Sequence, residues 1–252
     1  MASVLGTSAS VRADRWFYVR LAAAFVATAF LGFAPTYWAP LAAGHYAKNP
    51  ITHIHGMLFF GWTLTYLVQT ILVASGRTLA HRSFGMFGIA LFSAMCASVL
   101  LALLNEVRVY DALGVGDAVR RFVSVPMIGL VALIFTFTLA ISQTRQPDIH
   151  KRLMVLTIAM MAQPALARWF QFFLAPPGAI GPPPVPFALM PGLLALGFIV
   201  AGAVHDKRML GHVHRVYRIG GPLVALEILS PVLVSQTAAW MGFIHWFERL
   251  AP

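Results

Sequence analysis

Histidines placed at the starts of apolar stretches are the residues of this sequence most able to carry chemistry. Three of them follow short basic loops, and each is followed directly by a basic residue: His81-Arg82, His150-Lys151 and His214-Arg215. Neutral imidazole is the commonest metal ligand in proteins. If the three loops lie on one side of a membrane, His81, His150 and His214 would share a zinc or iron site, with Asp206 as a fourth ligand or as a hydrogen-bond partner of a ligand. The alternative is that these histidines only lie at the level of the lipid headgroups.

A haem site is a second hypothesis, because two histidines from different helices can supply both axial ligands of haem iron. His55 lies at the start of the second apolar stretch beside Gly56, and it shares one predicted helical face with Trp62 and Gln69. We therefore predict cofactor contacts at His55, Trp62 and Gln69. Residues 53–62 resemble the histidine-bearing helix starts of membrane haem proteins of the oxidase and nitric-oxide-response type. Haem b and zinc both remain open as cofactors.

Most of the nine histidines lie at the ends of the apolar stretches. An electron-transfer chain of the b561 type needs four histidines well inside its helices. A single haem or metal ion is therefore favoured over electron transfer from one membrane face to the other.

Two charged residues, Arg168 and Glu227, lie well inside apolar stretches. A charge at the bilayer centre costs at least about 2.5–3.5 kcal/mol on insertion scales. We expect the two side chains to pair, either as a salt bridge that locks the helices or as part of a proton relay or ligand site; the other alternative is that the Arg168 side chain extends outward to the membrane surface. With Gln69 they would also suit the polar path of a transporter.

The elements that position these residues follow from hydropathy. The chain is 59% hydrophobic and 10% charged, whereas soluble domains carry roughly 25% charged residues. A membrane-spanning helix needs about 20 mainly apolar residues, and seven such segments are predicted: 18–39, 53–75, 83–104, 122–143, 153–174, 187–205 and 219–240. The sequence thus predicts an all-α, polytopic membrane bundle of seven transmembrane helices, with a polar tail over residues 1–14 and a single transmembrane domain over residues 15–247.

The distribution of basic residues predicts the orientation of the bundle. Twelve of the 18 Lys and Arg residues fall in the N-terminal segment and in the connections after the second, fourth and sixth stretches. Short cytoplasmic loops hold such an excess, so we expect the N-terminus inside and the C-terminus outside. The net charge of +10 therefore reflects membrane topology and not a nucleic-acid partner; the expected partner is the lipid bilayer. Oligomeric state is left open, and the small residues of the third stretch predict that it lies at the centre of the bundle.

A wider resemblance covers most of the chain. It rests on the segments Gly32-Phe33-Ala34-Pro35-Thr36-Tyr37, His55-Gly56 through Trp62 and Gln69 to Gly76-Arg77, His81-Arg82 to Gly85, and His150-Lys151-Arg152-Leu153-Met154. Together they resemble a group of multi-span bacterial inner-membrane proteins that has no assigned activity. The resemblance implies a bacterial inner-membrane location and a seven-helix fold.

Three functions remain as hypotheses. The first is a protein that binds a metal or haem through histidines at helix ends and has a redox or metal-dependent role. The second is a histidine-zinc hydrolase that acts on lipid, as in the seven-helix receptors and ceramidases with intracellular N-termini, although the last stretch lacks their His-x-x-x-His pair. The third is a small-molecule or lipid transporter that uses Arg168 and Glu227.

Overall fold

The computed structural model describes residues 8–45 and 49–249, with side chains from Trp16 onward. All of its regular elements are helical. They are α1 (Ser8–Gly32), a π-helical turn (Ala34–Trp38), α2 (Ala39–Ala42), α3 (Pro50–Ala74), α4 (Thr78–Asp111), α5 (Gly116–Phe122), α6 (Ser124–Ser142), α7 (Pro147–Leu174), a 3₁₀ turn (Val185–Ala188), α8 (Leu189–Ala195), α9 (Gly197–Leu210), α10 (Arg215–Val234) and α11 (Ala238–Glu248). Helix α1 begins at Ser8, inside the segment predicted as a polar tail, and residues 1–7 lie outside the described part.

Seven helical segments within the described residues are long and apolar enough to cross a membrane. They are Trp16–Ala42, Pro50–Ala74, Thr78–Asp111, Gly116–Ser142, Pro147–Leu174, Val185–Leu210 and Arg215–Val234. Each overlaps one predicted stretch, so the all-helical, seven-helix prediction is confirmed. The architecture indicates a multi-pass integral membrane protein, whereas the direction of insertion stays a prediction.

Several boundaries differ from those predicted, and two of them have a clear structural reason. Helix α4 continues to Asp111, beyond the predicted end at Leu104, because helix formation depends on backbone hydrogen bonds and does not stop where polar residues begin. The last stretch breaks after Val234, and a new helix starts where the Thr237 hydroxyl oxygen accepts a hydrogen bond from the Trp240 backbone N–H at 3.2 Å. A capping threonine of this kind marks a helix start inside an otherwise apolar run.

Helix α7, rather than the predicted third stretch, is the most buried span. Half of its most apolar window is buried, against a third for α4. It packs against α1, α6, α8, α9 and α10, whereas α4 packs mainly against α3, with smaller contacts to α5 and α6. Small residues on α4 do allow close packing, but against one neighbour: Gly88 faces Thr65 of α3. The core consequently forms around α7.

A close helix crossing joins α1 to α7. A Cβ atom built on Gly32 would lie 2.7 Å from the carbonyl carbon of Ala165 and also from its Cβ. Real side chains cannot approach backbone so closely, so only glycine fits at this crossing. The crossing sets the position of the aromatic turn that follows α1.

One end of the bundle carries the connections 75–77, 143–146 and 211–214, together with the start of α1; we call it the basic end. Two contacts place the start of α1 there: the Phe17 ring stacks on His205 at 3.7 Å between ring centres, and the Lys151 ammonium lies 5.1 Å from the Tyr18 ring centre. His81, His150 and His214, the three histidines predicted to share a site, all lie at the basic end.

Candidate functional site

His81 and His150 lie side by side at the basic end, one on α4 and the other on α7. Each is the fourth residue of its helix, since α4 begins at Thr78 and α7 at Pro147. Their ring centres are 6.4 Å apart and the ring planes are inclined by 71°. Two helices from different hairpins thus bring two imidazoles to one point, and we call these two residues the histidine pair.

Hydrogen bonds hold both rings in the same tautomer. The Nδ1 atom of His150 lies 2.7 Å from the backbone carbonyl oxygen of Ala140. A carbonyl oxygen can only accept, so the His150 Nδ1–H donates and its Nε2 keeps a free lone pair. The Nδ1 atom of His81 lies 3.0 Å from Oε1 of Gln69, again with an acceptor, which leaves the His81 Nε2 lone pair free as well.

Gln69 of α3 holds His81 through two hydrogen bonds. Its Nε2 donates to the His81 backbone oxygen at 3.2 Å, which directs Oε1 toward the imidazole and fixes the amide orientation. Glycine at position 85 provides the space, because a Cβ there would lie 3.3 Å from Gln69 Nε2. Gln69 was predicted to contact a cofactor; in the structure it is the residue that orients His81.

His214 does not join the pair. It precedes α10 as its N-cap, and its Nδ1 accepts a hydrogen bond from the Val216 backbone N–H at 3.2 Å. A neutral His214 then carries its proton on Nε2, so neither ring nitrogen has a lone pair left for a metal. Among the residues that the structure describes, no three His, Cys, Asp or Glu side chains are grouped so that they could hold a metal ion.

Asp206, the other predicted metal ligand, binds Arg152 instead. The Arg152 Nε donates to Asp206 Oδ2 at 2.8 Å and its Nη2 donates to Oδ1 at 2.6 Å. The two side chains are only 2% and 1% exposed. A two-point contact of this kind gives the strongest geometry available to an arginine and a carboxylate. It ties α7 to α9 in the interior.

Further hydrogen bonds surround this ion pair, including one from Arg152 Nη1 to Asp148 Oδ1 at 3.3 Å. Arg152 Nη1 also donates to the backbone oxygen of Asp148 at 2.7 Å, and Asp206 Oδ2 accepts from the His214 backbone N–H at 3.4 Å. Sequence reasoning assigned Arg152 to the positive charge of a loop and missed this role. The available signal was Asp148, four residues earlier, a spacing that places the two residues on one helical face.

His55 lies near the other end of α3, about 21 Å from Gln69 by helical rise. The Ser98 hydroxyl donates to the Met95 backbone oxygen at 2.6 Å and therefore accepts from His55 Nδ1 at 3.0 Å. His55 also has its Nε2 free, but it cannot share a centre with the histidine pair.

Trp62 was predicted to contact a cofactor, and the structure places it in the aromatic core. Its ring stacks on Tyr66 and packs against Phe92 and Phe137, with 5.7, 5.7 and 6.2 Å between ring centres. The side chain is 2% exposed. Its position is explained by packing alone.

The predicted pairing of Arg168 with Glu227 is not formed. The Arg168 guanidinium lies 5.0 Å from the centre of the Phe33 ring and donates to Gln171 Oε1 at 3.4 Å. Glu227 instead faces Gly129 of α6, and its Oε2 is buried without a hydrogen-bond partner. The two intramembrane charges therefore belong to separate sites.

A groove of about 570 Å³ lies between α4 and α6. Its lining is mainly apolar and includes three hydroxyl-bearing residues: Ile89, Phe92, Ser93, Cys96, Ile134, Phe137, Thr138, Ile141 and Ser142. Ile141 directly follows Ala140, whose carbonyl oxygen accepts the hydrogen bond from His150. Neither His81 nor His150 lines the groove itself.

The capping role of His214 predicts a dependence of stability on pH. Burial and the nearby guanidinium of Arg152 lower the pKa of His214, so the unfolded chain takes up a proton at higher pH than the folded protein does. The free energy of unfolding is then expected to fall as pH drops below about 6.5, the usual pKa of histidine. His214→Asn keeps a capping acceptor but does not titrate. Denaturation of both proteins between pH 5 and pH 8 (roughly the range of histidine titration) should show a smaller pH slope for the variant, and equal slopes would contradict the prediction.

Comparison of the chain with models of protein families, with curated proteins and with solved structures gives no match. Its function has to be inferred from the side chains described above.

Proposed function

We propose that this chain is an integral protein of the bacterial inner membrane, with its N-terminus in the cytoplasm, that binds one haem b between His81 and His150 and takes part in electron transfer. The observation that carries the proposal is the histidine pair itself. Two imidazoles from different helices have their Nδ1 atoms engaged by oxygen acceptors and both Nε2 lone pairs free. Ligating histidines commonly have this arrangement, because a hydrogen bond from the second ring nitrogen fixes the tautomer and raises the basicity of the ligand.

The number of ligands favours haem over a zinc ion. Structural zinc sites use four protein ligands and catalytic sites use three, whereas the described residues provide a group of only two at this point. Haem iron already has four porphyrin nitrogens and needs at most two axial ligands.

The two imidazoles are close enough for one bound group to contact both, and His81 and His150 are the residues that would hold the haem iron. The observed separation of ring centres is 6.4 Å.

The surroundings suit both the apolar porphyrin ring of a haem and its charged propionate groups. The groove between α4 and α6, whose lining includes Ile141, is the apolar surface that we assign to a porphyrin ring. Arg82 follows His81, is exposed and interacts electrostatically with it, so its guanidinium is available to a propionate carboxylate. When bound, the iron would accept and donate one electron, while Gln69 and the Ala140 carbonyl hold the two ligands in place.

The absorption spectrum of the purified protein tests this proposal. The protein should be expressed with a haem precursor supplied, solubilised in detergent, and measured air-oxidised and after reduction with dithionite. A Soret band with sharp α and β bands after reduction, and about one iron per chain by metal analysis, is the expected result. A featureless spectrum from protein without iron would overturn the proposal, and one zinc per chain would support the zinc alternative in its place.

A further inference from the structure

Glu227 is a carboxyl group far from either end of its helix. It lies twelve residues after the start of α10, about 18 Å along the helix axis, and α10 is one of the seven spans. Its Oε1 faces Gly129 of α6, where an added Cβ would lie 3.2 Å away. Its Oε2 is buried and has no hydrogen-bond partner. Because Gly129 has no side chain, the Glu227 carboxyl group fits between α6 and α10.

Within the described part of the chain, no cation balances this carboxyl group. The elements packed against α10 are α6, α7, α8, α9 and the 3₁₀ turn, and α6, α8 and the 3₁₀ turn contain no ionisable residue. The ionisable groups on α7 and α9 are Asp148, His150, Lys151, Arg152, Arg168, His205, Asp206, Lys207 and Arg208. Among the described residues, neither these groups nor Arg215, Tyr217 and Arg218 at the start of α10 act electrostatically on Glu227, whose environment is set by burial.

An unpaired carboxylate this far inside the membrane is destabilising, and protonation removes the free-energy penalty. Insertion scales put a charged aspartate at a helix centre at about 2.5–3.5 kcal/mol, and a buried carboxyl group without a partner cation avoids this by binding a proton. Buried ionisable groups inside membrane spans mark ion and proton pathways more often than they serve packing alone. A glutamine would fill the same space without the ionisation cost.

We infer that Glu227 is a reversible proton-binding site in the middle of the membrane, of the kind that a proton-coupled membrane protein requires. The site is separate from the histidine pair and does not depend on the proposed haem. Its ligand is the proton alone, because the described residues contain no group of three His, Cys, Asp or Glu side chains that could hold a metal ion.

The site can be tested with dicyclohexylcarbodiimide. This apolar reagent enters the bilayer and reacts with protonated carboxyl groups. The carboxyl proton passes to one nitrogen of the carbodiimide while the carboxylate oxygen bonds to its central carbon. The acyl group then migrates from that oxygen to the other, unprotonated nitrogen and gives a stable N-acylurea, with no atom lost. The label is located by mass spectrometry of peptides from the full chain in lipid nanodiscs.

We expect Glu227 to be labelled near neutral pH. The yield should fall as pH is raised. Above the pKa of the site, the protonated fraction falls about tenfold for each pH unit. Glu227→Gln should abolish the label, whereas Glu248→Gln, at a carboxylate that pairs with Arg120, should leave it unchanged. Lack of labelling at Glu227, equal labelling at Glu248, or a yield independent of pH would each overturn the inference.

Discussion

Replacing Arg152 with alanine is expected to lower the free energy of unfolding by about 3–5 kcal/mol. The substitution leaves Asp206 buried, 1% exposed, with no cation to balance it, and its two charge-assisted hydrogen bonds at 2.8 and 2.6 Å are lost. Asp206→Ala should also destabilise the protein, but by less, because the buried guanidinium keeps the Asp148 carboxylate as a partner at 3.3 Å. Denaturant unfolding of the protein in detergent micelles measures both effects.

A double variant separates the charge effect from simple packing. Arg152→Met with Asp206→Leu removes both charges and keeps much of the volume, so it should recover most of the stability that either single variant loses. Arg208→Ala is a matched control, since Arg208 is exposed at the same end of the bundle and its loss should change stability by no more than about 0.5 kcal/mol. If the double variant were as unstable as the sum of the single ones, the ion pair would not be the source of the effect.

Loss of either histidine of the pair is expected to abolish the low-spin haem spectrum of the purified protein and to lower its haem content. His150→Ala removes the ligand that the Ala140 carbonyl orients, and His81→Ala removes the one that Gln69 orients. A single remaining imidazole cannot supply both axial positions, and the low-spin spectrum of a two-histidine haem would disappear. Optical spectra and haem content per chain measure the loss.

Two further variants serve as an intermediate case and a control for the loss of haem. Gln69→Leu keeps both ligands but removes the hydrogen bond to His81, and loss of such a bond typically weakens binding about 10–100-fold. His212→Ala is the control, because His212 is exposed and bonds only to the backbone oxygen of Leu210 at 3.1 Å; its spectrum should match that of the unchanged protein. Retention of the full spectrum in His150→Ala would show that the haem is held elsewhere, with His55 as the next candidate.

The number and approximate limits of the spans could be predicted from the sequence because hydropathy over about 20 residues is a local property. The proline-rich segment between α7 and α8 also separates two spans for a local reason, since proline cannot continue a helix. The end of α4 and the break before α11 were predicted less well. Both depend on backbone hydrogen bonds and caps, which hydropathy does not report.

The choice of site residues depended on contacts between helices. His81, His150 and His214 look alike in the sequence, each at the start of a helix and followed by a basic residue. The acceptors that distinguish them come from elsewhere: Gln69 and Ala140 leave Nε2 free on the first two, whereas the α10 backbone uses the lone pair of the third. No spacing within one helix contains that information.

By itself, the sequence determined that the chain forms seven apolar helices and that a few costly polar groups must lie among them. Only the tertiary structure decided which groups meet. Arg152 pairs with Asp206, while Arg168 and Glu227 stay apart. The physical reason is that hydropathy favours burial of a helix without specifying its neighbours, whereas a pairing requires two side chains on different helices to face each other at the same depth and angle.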